Sequence, residues 1–378
     1  MKKITALVLT AVMVCFSLCG CAKAPQPQQQ TTLGQPISSM QTKYAEHFAV
    51  DYYEGGYKLI SISDGSKFLI VPEDAQTPEN LDENTVVLKQ PIENIYLAAS
   101  AAMCLFDALE KIDTITLSGT KQENWYIENA RKAMEQGKIL YAGKYSEPDY
   151  ELLLEKNCPI AIESLMIGQA SEVKNKLEEI GIAVFVDQSS IESHPLGRME
   201  WIKVYAAMLN EEEKAEEIFN RQADFFKQAE EKGNSGSKVA FFHVNSSGEA
   251  VVRKGTDYIA KMLEIAGGEY LFKHIGDPEK RTSTEKVEWE EFFATAKEAD
   301  YIIYNSAIGG EIETIEQLVE KNSLLADLKA VQNGNVWCTG KNMYQESTHL
   351  GEMVDSFQKI FSGEADEMTE LPFLHKLK

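Results

Sequence analysis

Residues 193–232 read SHPLGRMEWIKVYAAMLNEEEKAEEIFNRQADFFKQAEEK, and apolar residues recur along them at helical spacing. We expect two helices here. Asn210 is a favourable N-cap residue with Glu213 three positions later, so one helix should end near Leu209 and a second should start there. The second helix should run to Lys232, a length of about 33 Å, which is close to the diameter of a small domain.

The helical stretch separates two α/β regions. Strand-like sequence ends at 183–186 and resumes at 239–244, after a glycine-rich run at 233–237 that stops the helix. Short apolar strands alternate with helical patterns on both sides, which is typical of a parallel sheet covered on both faces. The predicted fold is therefore α/β, with two doubly wound lobes at 44–192 and 234–378, joined by a single long helix within a helical segment at 193–233.

Local signals add detail to the two lobes. The sequences Lys58–Ile62 and Lys67–Val71 flank Asp64-Gly65 and predict a β-hairpin. In the second lobe, residues 312–330 read as one long helix. The ligand cleft should lie between the lobes, because open α/β sheets bind ligands outside the carboxyl ends of their strands.

The N-terminus predicts export. Lys2 and Lys3 precede an apolar run at 4–18, the signature of a signal peptide over residues 1–20. Leu18-Cys19-Gly20-Cys21 resembles the bacterial lipobox, which implies a lipid on Cys21; the alternative is an ordinary cleaved secretory peptide. Residues 21–43 are rich in proline and glutamine and contain little to bury, so we expect the lipidated cysteine to be followed by a disordered tether.

Composition excludes several function classes. The 378 residues carry a formal net charge of −22 with scattered Lys and Arg, which argues against nucleic-acid binding. After the lipobox only Cys104, Cys158 and Cys338 remain, widely spaced and odd in number, so neither a disulfide scaffold nor a thiolate metal site is indicated. We expect these three cysteines to be small buried hydrophobic residues.

Catalytic and metal-binding motifs were not found in the sequence. Gly-x-Ser-x-Gly, phosphate-loop, dinucleotide and His-Glu-x-x-His patterns are all missing, so we expect no enzyme activity and no cofactor. The six histidines are dispersed with no pair at i, i+4, which disfavours a dedicated Zn or Mn site. His194 is the one histidine expected to face a pocket.

Short elements in both lobes carry a family resemblance. In the first lobe these are 148–154 followed by 159–164, and in the second 287–293 followed by 299–304, with Gly-Gly at 267–268. Together with the lipobox and the joining helix, they resemble the substrate-binding lipoproteins of bacterial ABC importers, in particular the class that delivers ferric siderophores, haem or vitamin B12. Cys158-Pro159 departs from the Pro-Asp that this class usually has.

The resemblance implies a function and a location. The protein would sit as a monomer on the outer face of the cytoplasmic membrane, capture an iron chelate, haem or a corrinoid, and deliver it to the ABC permease. Glu151 and Glu290, with Glu291 as a competitor, would dock on permease arginines; the alternative is that they are ordinary solvated residues at helix N-termini. Because one continuous helix joins the lobes, we expect small lobe motions.

The candidate ligand residues follow from the loops at the carboxyl ends of the strands. They combine aromatic walls with polar groups, and they are Ser100, Trp125, Tyr126, Tyr141, Lys144, Tyr145, Ser164, Met166, His194, Arg198, Asn245, Asn305 and Tyr344. An arginine such as Arg198 can hold a carboxylate or an anionic chelate through two hydrogen bonds. Alternatively, Arg198 pairs with Glu192 or Glu200 and fixes the hinge, and the aromatic residues and Met166 simply pack the lobe.

Two other functions stay open at this stage. A Zn or Mn receptor of an ABC importer would use the same fold. An extracellular sensor or adhesion lipoprotein would use it without a transporter.

Overall fold

The computed structural model describes residues 32–277 and 282–378. The predicted signal peptide and Cys21 lie outside the described residues. No helix within the described ranges is long and apolar enough to cross a membrane.

An N-terminal sheet precedes the first lobe. Its strands, in chain and sheet order, are β1 (Ser38–Ser39), β2 (Phe48–Tyr52), β3 (Lys58–Ile62), β4 (Lys67–Val71) and β5 (Thr85–Lys89). The strands β1 to β4 pair in antiparallel fashion and β5 is parallel to β4. The predicted hairpin is confirmed as β3 and β4, with Gly65 at φ 92° in the turn, a conformation that glycine adopts without strain.

The first lobe is a parallel sheet covered on both faces. Its elements are β6 (Ile95–Leu97), α1 (Met103–Ala108), β7 (Ile115–Ser118), α2 (Glu128–Glu135), β8 (Leu140–Tyr141), β9 (Gly143–Lys144), β10 (Glu147–Pro148), α3 (Tyr150–Glu155), β11 (Ile160–Ser164), α4 (Ser171–Glu179) and β12 (Ala183–Asp187). The sheet order is β12–β11–β6–β7–β8, and every pair is parallel. Along β11, Ile160 and Ile162 face one core and Ala161 faces the other, because successive side chains of a strand point to opposite faces. The predicted doubly wound lobe is confirmed.

The connector between the lobes consists of α5 (Pro195–Glu200), α6 (Ile202–Leu209) and α7 (Glu212–Lys232). The predicted long helix is confirmed as α7. The prediction that Asn210 is an N-cap is wrong, because Asn210 ends α6 with φ 59° and ψ 43°. Asparagine tolerates this left-handed conformation better than most residues, so it suits a helix C-terminus as well as an N-cap.

The helix α7 runs from the first lobe to the second. Near its start, Lys214 forms an ion pair with Glu110 of the first lobe at 2.7 Å. At its end, Lys232 donates to the side chain of Gln358 in the second lobe at 2.7 Å.

The second lobe is a mixed sheet with helices around it. Its elements are β13 (Ser237–Val244), β14 (Ala250–Arg253), α8 (Tyr258–Ile265), β15 (Gly268–Tyr270), β16 (Thr284–Val287), α9 (Trp289–Ala296), β17 (Tyr301–Tyr304), α10 (Ser306–Gly309), α11 (Ile315–Lys321), α12 (Lys329–Gln332), β18 (Val336–Thr339), α13 (Leu350–Phe361), β19 (Glu370–Leu371) and β20 (Leu374–Lys376). The order is β16–β14–β13–β17–β18–β20–β19, with β15 also on β13. The helix predicted at 312–330 is interrupted at Asn322, whose backbone is extended and whose side chain accepts a hydrogen bond from the N–H of Leu324.

The predicted tether is ordered over its described second half. Ser38 and Ser39 form β1, and the backbone N–H groups of 43–45 donate to the carboxylate of Glu200 at 2.9–3.1 Å. The next N–H groups, of 46–47, donate to Glu192 at 3.0–3.2 Å. Part of the predicted tether is therefore folded, and two buried carboxylates bind the segment that follows β1.

Candidate functional site

The carboxyl ends of the first lobe's strands surround a cavity of about 300 Å³. Five of the predicted ligand residues line it, namely Ser100, Lys144, Tyr145, Ser164 and Met166. Its other lining residues are Ala98, Ala99, Ala101, Gly119, Thr120, Asp187, Ser189 and Ser190. The cavity thus lies where the rule for parallel sheets places ligand sites.

Local hydrogen bonds fix the loops around this cavity. Ser164 accepts from the N–H of Met166 at 3.3 Å and so caps the turn that follows β11. Asp187 accepts from the N–H of Ser189 at 2.8 Å and from the hydroxyl of Tyr205 in α6. The cavity floor is thereby tied to the connector.

The second lobe contributes a buried polar cluster made of Arg253, Asp257, Asn305 and Tyr344. The guanidinium of Arg253 donates to the hydroxyl of Tyr344 and lies 3.5 Å from the carboxylate of Asp257. Asn305 donates to the same hydroxyl at 2.8 Å. Asn305 and Tyr344 were predicted from the sequence, and the fold does bring them together.

Arg198 connects this cluster to the cavity. Its guanidinium lies over the ring of Tyr258 at 4.0 Å and donates to the carbonyl of Ser190, a cavity residue, at 2.9 Å. The alternative that Arg198 pairs with Glu192 or Glu200 is wrong, because both carboxylates are engaged by backbone N–H groups and by Trp201 or Lys203.

Together with Arg198, the cluster carries an excess of positive charge. Arg198 and Arg253 face one carboxylate, Asp257, whose pKa is raised by burial, an effect that Arg253 and Arg198 oppose. His243 adds no charge at neutral pH, because burial and the charge of Arg253 lower its pKa to about 4. Within the described chain, three buried polar atoms have no hydrogen-bond partner here: Nε of Arg198, Nε of Arg253 and Oδ1 of Asn305. The two unpartnered guanidinium N–H groups suit an anionic group, and Oδ1 of Asn305 can accept from a donor of the ligand.

Other predicted residues have structural contacts. Trp125 is buried and donates to Ser118 at 3.3 Å, whereas Asn245 accepts from the N–H groups of 247 and 249 and holds the turn after β13. Tyr126 and Tyr141 are 44% and 40% exposed near the same sheet edge, which leaves them free to contact a ligand.

His194 does not line the cavity. Its Nδ1 accepts from the N–H of Leu196 at 3.1 Å, and its ring stacks on Tyr44 at 4.5 Å. Burial lowers the pKa of His194 to about 4, so it is a neutral helix cap. The half-buried ring thus packs against the N-terminal segment, and a ligand role for His194 stays a prediction.

A wider opening of about 570 Å³ lies between the N-terminal sheet and α7, away from the sheet edges. Of its two lysines, Lys43 and Lys203, the second already pairs with Glu200 at 3.2 Å and Glu216 at 2.8 Å. We do not assign it to ligand binding.

The predicted docking acids are exposed. Glu151 lies in the first turn of α3, whose N-cap Asp149 accepts from the N–H of Leu152 at 3.0 Å. Glu290 and Glu291 lie in the first turn of α9. Among the described residues, no group of three or more His, Cys, Asp or Glu side chains is placed to hold a metal ion.

Sequence reasoning missed Arg253, Asp257, Tyr258 and Asp187. Arg253 ends an antiparallel strand, so a rule about the carboxyl ends of parallel strands does not select it. Asp257 is recognisable as an N-cap, since it accepts from the N–H of Ile259 at 3.0 Å, but a cap alone does not indicate a site.

Comparison with known proteins gives a consistent result. An uncharacterized lipoprotein of Methanocaldococcus jannaschii is 27% identical over 377 residues, covering 91% of this chain and 89% of its own. A periplasmic haem-binding protein from Pseudomonas aeruginosa has a similar structure, with a TM-score of 0.58 at 17% identity, covering 76% of this chain and 98% of its own. An ABC-type Fe³⁺-hydroxamate transport protein from Saccharomonospora viridis has a TM-score of 0.53 at 17% identity, covering 71% and 92%. The profile described as periplasmic binding protein matches residues 104–343, well over half of the chain, and the protein therefore belongs to the periplasmic binding protein family.

Proposed function

We propose that this protein captures a metal chelate with anionic groups, a ferric siderophore, haem or a corrinoid, and delivers it to an ABC permease. Proteins of this family bind solutes outside the cytoplasm for ABC transporters. For this chain we propose a chelate as the solute, and the protein performs no covalent chemistry on it.

The excess positive charge of Arg198 together with the buried cluster is the observation that carries this proposal. Arg198 and Arg253 stand against the single carboxylate of Asp257, and both keep a buried Nε without a partner among the described residues. A buried charge without a counter-ion is costly, so a ligand carboxylate, catecholate or propionate gains affinity by pairing with it. Exposed apolar side chains at the same edge, such as Tyr126, Tyr141 and Met166, suit a ligand with a large flat face.

Two similar structures support the chelate class. One is a haem-binding protein and the other belongs to an Fe³⁺-hydroxamate transport system, and both ligands contain iron held by an organic chelator. For the mature protein, lipidation at Cys21 would place the site on the outer face of the membrane. Glu151 and Glu290 would then orient the protein on the permease, since separated acids can steer a rigid body onto a cationic surface.

The test is native mass spectrometry with absorption spectroscopy on the mature chain. Haem, a cobalamin and a panel of ferric siderophores are offered at low micromolar concentration, and one of them should bind with a shifted spectrum. Arg253→Met should weaken that binding by tenfold or more, whereas Arg131→Met, the same change on the exposed face of α2, should leave it unchanged.

Other outcomes would refute the proposal. Binding of free Zn²⁺ or Mn²⁺ with no chelate bound would replace it with a metal-receptor function. Failure of every ligand would favour a sensor or adhesion role.

A further inference from the structure

One side chain of the second lobe bridges the two lobes. The amide of Gln345 accepts from the backbone N–H of Tyr126 at 2.9 Å and donates to the carbonyl of Asn124 at 2.8 Å. Both partners belong to the loop that follows β7 at the carboxyl edge of the first lobe. An N–H and a C=O so placed fix the orientation of the amide, because only one assignment of its oxygen and nitrogen satisfies both.

The turn that carries Gln345 also belongs to the polar cluster. Tyr344, the preceding residue, receives hydrogen bonds from Arg253 and Asn305. The turn is fixed locally, since the N–H of Gln345 donates to the carbonyl of Asn342 at 2.8 Å, and it packs against the turn at 100–102 that borders the cavity. Two consecutive side chains therefore point to opposite sides of the interface between the lobes.

We propose that Gln345 is a positioning residue that sets the spacing of the lobes, and so the width of the cleft, in the ligand-free protein. The cavity of about 300 Å³ is at the low end of the range for ligand sites, roughly 300–1,000 Å³. All residues that line this cavity belong to the first lobe (98–190), so a macrocyclic or siderophore chelate that outgrows it must extend towards the second lobe, and the bridge opens when such a ligand enters. The opening of the bridge on ligand entry rests on the proposed function, whereas the bridge itself can be tested without a ligand.

The side chain of Gln345 offers a graded series of variants. Gln345→Ala removes both hydrogen bonds. Gln345→Glu keeps an acceptor for the N–H of Tyr126 but places a carboxylate oxygen against the carbonyl of Asn124. Gln228→Ala, on the exposed face of α7, is the matched control.

Two ligand-free measurements test the proposal on the mature chain. In hydrogen–deuterium exchange, the amide of Tyr126 should exchange roughly tenfold faster in Gln345→Ala, by a smaller factor in Gln345→Glu, and without change in Gln228→Ala. Spin labels at Lys132→Cys and Lys297→Cys, exposed positions on different lobes, should report a distance distribution that widens by about 2 Å in Gln345→Ala. The native Cys104, Cys158 and Cys338 are buried and should not take the label.

The outcomes separate this proposal from the proposed function. Unchanged exchange at Tyr126 shows that the bridge does not form, and faster exchange with an unchanged distance shows that the bridge does not set the spacing; either overturns the proposal. If a chelate from the panel binds, Gln345→Ala should raise its association rate about tenfold. If none binds, the proposed function fails while the two ligand-free measurements still decide the role of Gln345.

Discussion

The carboxylate of Glu200 should be one of the most important single groups for the stability of the folded protein. It is fully buried in α5, and its two oxygens accept from the backbone N–H groups of 43–45 and from the ammonium of Lys203 at 3.2 Å. In Glu200→Gln, one oxygen still accepts, but an NH₂ group faces the remaining donors. Lys203 also loses one of its two carboxylate partners and keeps Glu216.

The expected cost is about 3 kcal/mol of unfolding free energy. A hydrogen bond to a charged group contributes about 1.5–3 kcal/mol, and breaking a buried ion pair from one side costs about 3–5 kcal/mol. Lys203 keeps its second partner, which places the estimate at the lower end of the ion-pair range. The loss is measured by urea unfolding followed by tryptophan fluorescence and circular dichroism.

Glu217→Gln is the control, because it makes the same change at an exposed position of α7 and should stay within about 0.5 kcal/mol of the parent. If Glu200→Gln has the same urea midpoint as the control, the carboxylate of Glu200 does not hold the N-terminal segment at 38–47 in place.

Three further outcomes are expected from other parts of the chain. Glu151→Ala combined with Glu290→Ala should abolish most ligand uptake by cells while leaving the affinity of the purified protein unchanged; equal losses in both assays would contradict a docking role. Burial raises the pKa of Glu163 in β11 to about 8, so the folded state keeps a proton that the unfolded state releases above the ordinary pKa of 4.5. The free energy of unfolding should therefore fall by up to about 5 kcal/mol as the pH rises from about 4.5 to 8. Glu163→Gln should flatten this pH profile, which is measured by urea unfolding from pH 5 to 8.5. Cys21→Ser should prevent lipid incorporation and shift the protein from the membrane fraction to the medium or periplasm, measured by fractionation and a labelled fatty acid; continued labelling would place the lipid elsewhere.

Most of the fold follows from local sequence signals. The strands β6, β7, β11 and β12 are short apolar runs bounded by helical patterns, and α7 keeps an uninterrupted helical period. Asn210 shows the limit of such signals, because the same residue type serves at an N-cap and at a left-handed helix end. Local sequence does not predict that residues 38–47 are ordered, because the carboxylates that bind backbone N–H groups of this segment lie about 150 residues away in the chain.

The site was predictable to the extent that it follows a topological rule. The carboxyl ends of parallel strands gave Ser100, Ser164 and Asn305, and the cavity and cluster contain them. Arg253 ends an antiparallel strand, and it reaches the cluster only because β14 pairs with β13 in this register. Pairing of that kind is non-local, so a single sequence does not indicate it.

The N-terminal sheet precedes the matched part of the family profile, which begins at residue 104, and it packs on the connector. Lys58 of β3 donates to the carbonyl of Ala207 at 2.9 Å and to the side chain of Asn210 at 2.7 Å, while Glu200 holds the segment before β2. The N-terminal segment is therefore attached to the connector between the lobes. Tension on an anchor at the N-terminus would act first on the N-terminal sheet, through β1 and β2, and not on α3 or α9, which carry the exposed acids. Under the proposed lipidation of Cys21, this arrangement would hold the protein at the membrane and leave the proposed docking acids on α3 and α9 free to meet the permease.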